Sequence, residues 1–153
     1  MGFSVYVDGS GGSNGGYGYF VKETGESFYE KKPKITNNQA EYLAIISALN
    51  KYVHSNEEII IYSDSKNTVY QLNHDYAINN DQLRTLAREA WEIIAKFSNL
   101  LIVWVPRKEN LEEKCLEVNN IGSKTSKNNF IIQNSKCNLT WLSLLFYHQN
   151  RLQ

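Results

Sequence analysis

The chain has 153 residues, 42% of them hydrophobic, and its sixteen acids balance its sixteen lysines and arginines. That length suits one domain with a real core and is short for two, and a formal net charge of zero provides no global field to announce a nucleic-acid binder. Charge is nonetheless uneven: every acid precedes Asn119, and the stretch from Asn119 to Gln153 carries Lys124, Lys127, Lys136 and Arg151 with no acid.

The first element is a strand, because Phe3, Val5 and Val7 alternate with Ser4, Tyr6 and Asp8. The glycine-rich stretch after Asp8 makes a turn, the alternation resumes from Tyr17 to Val21 and again from Ser27 to Lys31, and "TGE" at 24–26 makes a second turn. Three antiparallel strands follow from this pattern. Thr36 is placed to cap a helix over "NNQAEYLAIISALNKY", whose Ala40, Ala44, Ile45, Ala48 and Leu49 share one face, with Glu41 near the start.

"EIIIYSDS" is an apolar run of the kind covered on both faces, ending at Asp64, where "SKNTVYQLN" begins a short helix. "NNDQLRTLAREAWEIIAKF" reads as a longer helix, with Leu83, Leu86, Ala87, Ala90, Trp91 and Ile94 at helical spacing. "LLIVWV" is expected to be another buried strand, stopped by Pro106, and "ENLEEKCLEV" a final helix. Strands first, then alternating helix and strand, give an α/β sheet that is antiparallel at one side and parallel in the middle. The texture changes after Val118, so residues 1–118 are expected to form the domain and 119–153 a basic extension, either an added helix or poorly ordered.

Cys115 and Cys137 stand far apart with no C-x-x-C pair, which argues against a zinc site or disulfide framework and fits a reducing, cytoplasmic compartment. The chain opens on a strand pattern instead of a signal segment, and no apolar run approaches a membrane span, so no membrane association is expected.

Three carboxylates carry the chemistry. Asp8 alone could open a turn, Glu41 could complement the positive end of a helix, and Asp64 could cap the helix after its strand. Their shared placement says more: Asp8 and Asp64 end strands expected to be neighbours, and Glu41 begins a helix packed on the same sheet. Ligands of open α/β sheets bind at strand carboxyl ends. Converging carboxylates repel, a divalent cation relieves the repulsion, and oxygen-only ligation favours Mg²⁺ or Mn²⁺.

"YVDGS", "TNNQAEYLAIISAL" and "IYSDS" resemble the three acidic motifs of the type 1 ribonuclease H family, in the family's order. "QLNHDYAINNDQLRTLAREA" is similar to the segment that follows in compact members lacking the basic protrusion, and "WVPRKEN" to their last strand and loop. The resemblance implies a five-stranded mixed sheet flanked by helices, acting as a monomer that cuts the RNA strand of an RNA/DNA hybrid. It implies that Asp8, Glu41 and Asp64 hold two Mg²⁺ ions, with Mn²⁺ as substitute, one activating water and the other stabilising the leaving 3′-oxygen. Gly9, Ser10, Gly11 and Gly12 would let the hairpin backbone approach the shallow groove where 2′-hydroxyls mark the RNA strand. Asn14, Thr36 and Asn37 would face the DNA phosphate, and Asn38 and Gln39 the RNA backbone and base edges. The alternative for Asn37 and Asn38 is that they are plain residues of a helix start.

Several positions depart from the family pattern. Pro106, Arg107 and Lys108 occupy the loop where many relatives carry a histidine, and His54 and His74 read as simple solvated residues. Tyr76-Ala77 lacks the basic residue that often follows the aromatic of the hybrid-binding segment, so a modest hybrid affinity is expected. The fourth family carboxylate falls, counting from Asn110, at Lys114. On a helix Glu113 points about 100° from Lys114, whereas Glu117 is about 60° off and roughly 4.5 Å further along the axis, so Glu117 is the candidate fourth catalytic and metal-holding acid. A rival reading keeps the fold and binds hybrid or double-stranded RNA without turnover. Another is half of an actin-like phosphotransferase, which would need no acid at Glu41. Whether double-stranded RNA is cut stays open at this level.

Overall fold

A computed structural model describes residues 2–110, all within one compact unit, Met1–Glu112. Five strands form one sheet: β1 (Gly2–Ser10), β2 (Gly16–Val21), β3 (Ser27–Lys31), β4 (Glu58–Ser63) and β5 (Leu100–Trp104). Their spatial order is β3-β2-β1-β4-β5. β1, β2 and β3 pair antiparallel, whereas β4 runs parallel to β1 and to β5. This is the mixed α/β sheet expected from sequence.

Helix α1 (Asn37–Tyr52) starts from a capping box: Thr36 Oγ1 accepts from the Gln39 amide at 3.1 Å, and Gln39 Oε1 accepts from the Thr36 amide at 2.9 Å. Two amide donors at the helix start are thereby satisfied. Its alanines Ala40, Ala44 and Ala48 are fully buried. Small side chains at that spacing let the helix axis sit close to Val5 and Val7 of β1 and Ile59 and Ile61 of β4, all fully buried in the same core. Helix α2 (Lys66–Leu72) packs on β5, and α3 (Asp81–Ile94) packs on α1. Asn80 caps α3 by accepting from the Leu83 amide at 3.0 Å.

Two expectations about strands are corrected. β5 is the sheet edge, with Leu101 52% and Trp104 37% exposed. Its apolar composition fits burial, but only Ile102 is buried, with Leu100 packed against the core at the strand start. β4 is fully covered on one face, where Ile59, Ile61 and Ser63 lie, and half-covered at Ile60 and Tyr62. There Tyr62 stacks on Tyr6 of β1 with ring centroids 4.8 Å apart. Among the described residues no helix is long and apolar enough to cross a membrane. The expected final helix and the boundary at Val118 lie outside the described residues.

Candidate active site

Parallel pairing places the first two acids together. Val7 of β1 is registered against Ser63 of β4, so Asp8, the next residue of β1, and Asp64, the residue just beyond β4, emerge side by side at the carboxyl ends of these parallel strands. Glu41 arrives from α1, and Gly9 sets its distance. A Cβ at Gly9 would lie 2.4 Å from the Ala40 carbonyl carbon and 2.7 Å from the Glu41 amide nitrogen, so the helix backbone rests directly on the strand. Gly11 repeats this contact: a Cβ there would be 2.5 Å from the Asn37 amide nitrogen, and the Gly11 amide donates to Asn37 Oδ1 at 2.7 Å. The glycines expected to make room for a nucleic-acid groove make room, at Gly9 and Gly11, for the start of α1. Gly12 holds the left-handed turn conformation at φ 97° and bridges to Ile35.

The result is one cluster in which Asp8, Glu41 and Asp64 each offer a carboxylate oxygen within 4.8 Å of the others. Asp8 and Glu41 are buried. Burial, followed by the neighbouring charges of Asp8 and Asp64, pushes the Glu41 carboxyl up to about 9, against the opposing pull of Arg107 and the Gly9 amide. Glu41 is therefore protonated at neutral pH in the protein alone. Its Oε2 is buried without a hydrogen-bond partner among the described residues. A crowded oxygen-only donor set with an unsatisfied buried oxygen fits a hard divalent cation.

The end of the sheet supplies residues that sequence reasoning left without a role. Arg107 Nε lies 3.1 Å from Asp64 Oδ2, its side chain 70% exposed and that of Asp64 only 5%. Trp104 Nε1 donates to the Asp64 carbonyl at 3.2 Å. Asn110 is fully buried and its Nδ2 donates to the Val7 carbonyl at 2.8 Å, beside Asp8. Pro106 begins a 3₁₀ turn at Arg107–Glu109, so the loop after β5 folds back over the acids and is pinned by Asn110. The only sequence signal was the short run from Trp104 to Asn110, whose side-chain contacts to Asp64 and Val7 are long-range.

The expected substrate positions divide by what they already hold. Ser10, Asn14 and Asn38 are exposed. Thr36 and Asn37 are tied to the helix start and the hairpin, each retaining a hydrogen-bond donor: the Thr36 hydroxyl hydrogen and the Asn37 amide. Gln39 uses both ends of its amide, since Nε2 donates to Gln82 Oε1 at 2.9 Å, so a base contact by Gln39 requires giving up the link to α3. His54 is exposed, whereas His74 is exposed but stacked on Trp91, with ring centroids 4.8 Å apart. Glu117 and its alternative Glu113 lie outside the described residues.

Comparison with known proteins bears on this arrangement. Residues 22–116 match the family model described as reverse transcriptase-like. The N-terminal ribonuclease H domain of a Mycobacterium tuberculosis protein superposes with a TM-score of 0.65 at 26% identity, covering 72% of this chain and 86% of that one. Ribonuclease H1 from the halophilic archaeon Halobacterium salinarum superposes at 0.65 with 28% identity, covering 72% and 89%. The chain belongs to the type 1 ribonuclease H family. A third member of the fold, the LC11 ribonuclease H1 in complex with RNA/DNA hybrid, superposes at 0.63 with 24% identity, covering 71% and 88%. As a type 1 ribonuclease H relative, the chain carries its acids on the first strand, the first helix and the end of the fourth strand.

Proposed function

We propose that the protein hydrolyses the RNA strand of RNA/DNA hybrids with divalent cations held by Asp8, Glu41 and Asp64. The observation that carries this reading is the carboxylate cluster, three acids with oxygens within 4.8 Å and one of them forced to keep its proton. Mg²⁺ or Mn²⁺ bound there supplies water activation and stabilises the charge that develops on the phosphate and the leaving 3′-oxygen. No side-chain nucleophile is needed. Glu41 must release its proton when a cation binds, and Arg107 must yield Asp64.

The rest of the chain positions substrate. The hairpin at Gly9, Ser10, Gly11 and Asn14 and the start of α1 at Thr36, Asn37, Asn38 and Gln39 flank the acids, with the unspent donors of Asn14, Asn37 and Asn38 available to nucleic-acid backbone. Membership of the family and the LC11 relative's complex support hybrid as the substrate. One copy carries all three acids, so this cluster needs no residue from a second copy.

The test is incubation of end-labelled RNA/DNA hybrid, duplex RNA and duplex DNA with Mg²⁺, with Mn²⁺ or with chelator. Cleavage of the hybrid in either metal, with 5′-phosphate and 3′-hydroxyl ends and none under chelation, is the expected result. Cleavage that survives chelation, or hybrid that binds and is never cut, overturns it. The duplex RNA arm decides whether a second duplex with 2′-hydroxyls is accepted.

A further inference from the structure

The helix-bearing face of the sheet is not covered as far as its β3 edge. Register sets Tyr19 of β2 beside Val7 of β1 and Tyr17 beside Gly9, so both tyrosines share the face on which Val5 and Val7 meet α1. Their partners on β3 are Phe28 and Glu30. α1 packs over β1 and β2, and beyond it Phe28 is half-buried and Glu30 exposed. This strip is the floor of a cleft of about 500 Å³, walled by Leu43, Ile46 and Ser47 of α1 and bordered by Glu89 of α3, a volume within the range of small-ligand sites. The cleft shares no residue with the acid cluster.

Its floor is aromatic and continuous. Phe28 stacks on Tyr19 with ring centroids 5.3 Å apart and lies tilted to Tyr17 at 6.5 Å. Ring faces carry partial negative charge and attract organic cations. The polar groups around the rings are mainly acceptors. Ser47 spends its hydroxyl hydrogen on the Ala44 carbonyl at 2.7 Å and keeps lone pairs to accept with. Burial, and then the neighbouring Glu30 carboxylate, push the Tyr17 hydroxyl up to about 12, so it stays neutral beside that carboxylate. Lys51, the cation among the described lining residues, is paired with Glu26 at 2.8 Å. The carboxylates of Glu30 and Glu89 therefore border the cleft with no other lysine or arginine in its lining to neutralise them.

This chemistry selects among ligands. An anion meets two carboxylates and no unengaged cation. A peptide brings a carbonyl with every amide, and with Lys51 engaged the lining has little to donate to it. A single ammonium or guanidinium group leaves one carboxylate and most of the volume unused. A linear polyamine has ammonium donors, no acceptors, and methylene segments that lie on apolar rings. We propose that the cleft between α1 and the β2–β3 edge binds an aliphatic polyamine, its methylenes on Phe28 and Tyr19 and its ammonium groups on Glu30 and Glu89. The site goes beyond hybrid cleavage and does not depend on it.

The experiment is calorimetric titration of spermidine into the full chain at fixed ionic strength, with each variant checked for folding by circular dichroism. Glu89→Gln is expected to weaken binding about tenfold, the effect of losing one charge-assisted contact. Phe28→Leu keeps the floor apolar but removes a ring face, and is expected to weaken binding about two- to fivefold. Glu92→Gln, an equal charge loss on α3 outside the cleft, and Asp64→Asn, an equal loss in the acid cluster, should each stay within twofold of wild type. Equal weakening by Glu89→Gln and Glu92→Gln would mean that spermidine senses only overall charge, and loss of binding in Asp64→Asn alone would place it on the acid cluster; either result refutes the proposal. So does a wild-type chain that gives no saturable binding of spermidine. Tighter, Glu89-dependent binding of acetyl-Gly-Arg-Gly-amide would make the occupant a basic peptide and overturn the polyamine assignment.

Discussion

Replacing Glu41 by glutamine tests the electrostatics of the acid cluster in a way that does not depend on activity. The Glu41 carboxyl moves from 4.5 in the unfolded chain to about 9 in the folded protein, chiefly through burial and then through Asp8 and Asp64. Because the folded value is the higher, the folded state binds the proton more tightly. The associated stability is fully present below pH 4.5 and is lost as pH rises through the folded value near 9. Inside that window the unfolded chain is ionised and the folded one is not, so metal-free stability falls by about 1.4 kcal/mol per pH unit. Between pH 6 and pH 8 the loss is roughly 3 kcal/mol, a large part of a typical 5 to 15 kcal/mol. Glutamine has nearly the shape of protonated glutamate and does not titrate. Urea denaturation in chelator at pH 6, 7 and 8 should therefore show Glu41→Gln gaining about 3 kcal/mol relative to wild type across the series. Groups that titrate elsewhere are common to both proteins and cancel. Parallel pH profiles for the two would refute the reasoning, because they would mean that Glu41 is ionised in the folded protein.

Gly9→Ala puts a methyl carbon 2.4 Å from the Ala40 carbonyl carbon, so the helix must lift; a loss of about 1 to 3 kcal/mol is expected from overpacking, together with weaker Mg²⁺ binding, and a variant that melts and binds metal like wild type would contradict the close contact. Arg107→Gln removes the cation 3.1 Å from Asp64, so calorimetry should show Mg²⁺ binding several-fold more tightly, while unchanged or weaker binding would mean that Arg107 does not compete for Asp64. Glu117→Gln should lower the cleavage rate and raise the Mg²⁺ requirement, with Glu112→Gln and Glu113→Gln nearly silent. If Glu113→Gln is the damaging change, or none of the three matters, Glu117 is a surface residue.

How far the fold was legible depended on whether a signal was local. Thr36 as the cap of α1 and the helix's alanine spacing can be read from a dozen residues, and both are present, whereas the return bond from Gln39 was not foreseen. The convergence of Asp8, Glu41 and Asp64 was also foreseeable, since acids at neighbouring strand ends and at a nearby helix start meet wherever the strands are parallel. Long-range features were not. Edge position is a property of the sheet, so "LLIVWV" looked buried although Leu101 and Trp104 face outward. Gly9 looked like a turn residue because the backbone it touches belongs to Ala40 and Glu41, far along the chain. Arg107 and Asn110 reach Asp64 and Val7 only after the last strand closes the sheet, and nothing in their local sequence announces those partners. His74, called a solvated residue, stacks on Trp91 for the same reason.

The account rests on cations held by the acid cluster, and Asp64→Asn probes that most directly, since asparagine keeps the shape and removes the charge. Hybrid cleavage and hybrid affinity should be measured on the same variant and on wild type in Mg²⁺. Cleavage is expected to disappear in Asp64→Asn while the hybrid still binds within a few-fold of wild type. Cleavage within a few-fold of wild type would contradict the account and remove Asp64 from the chemistry.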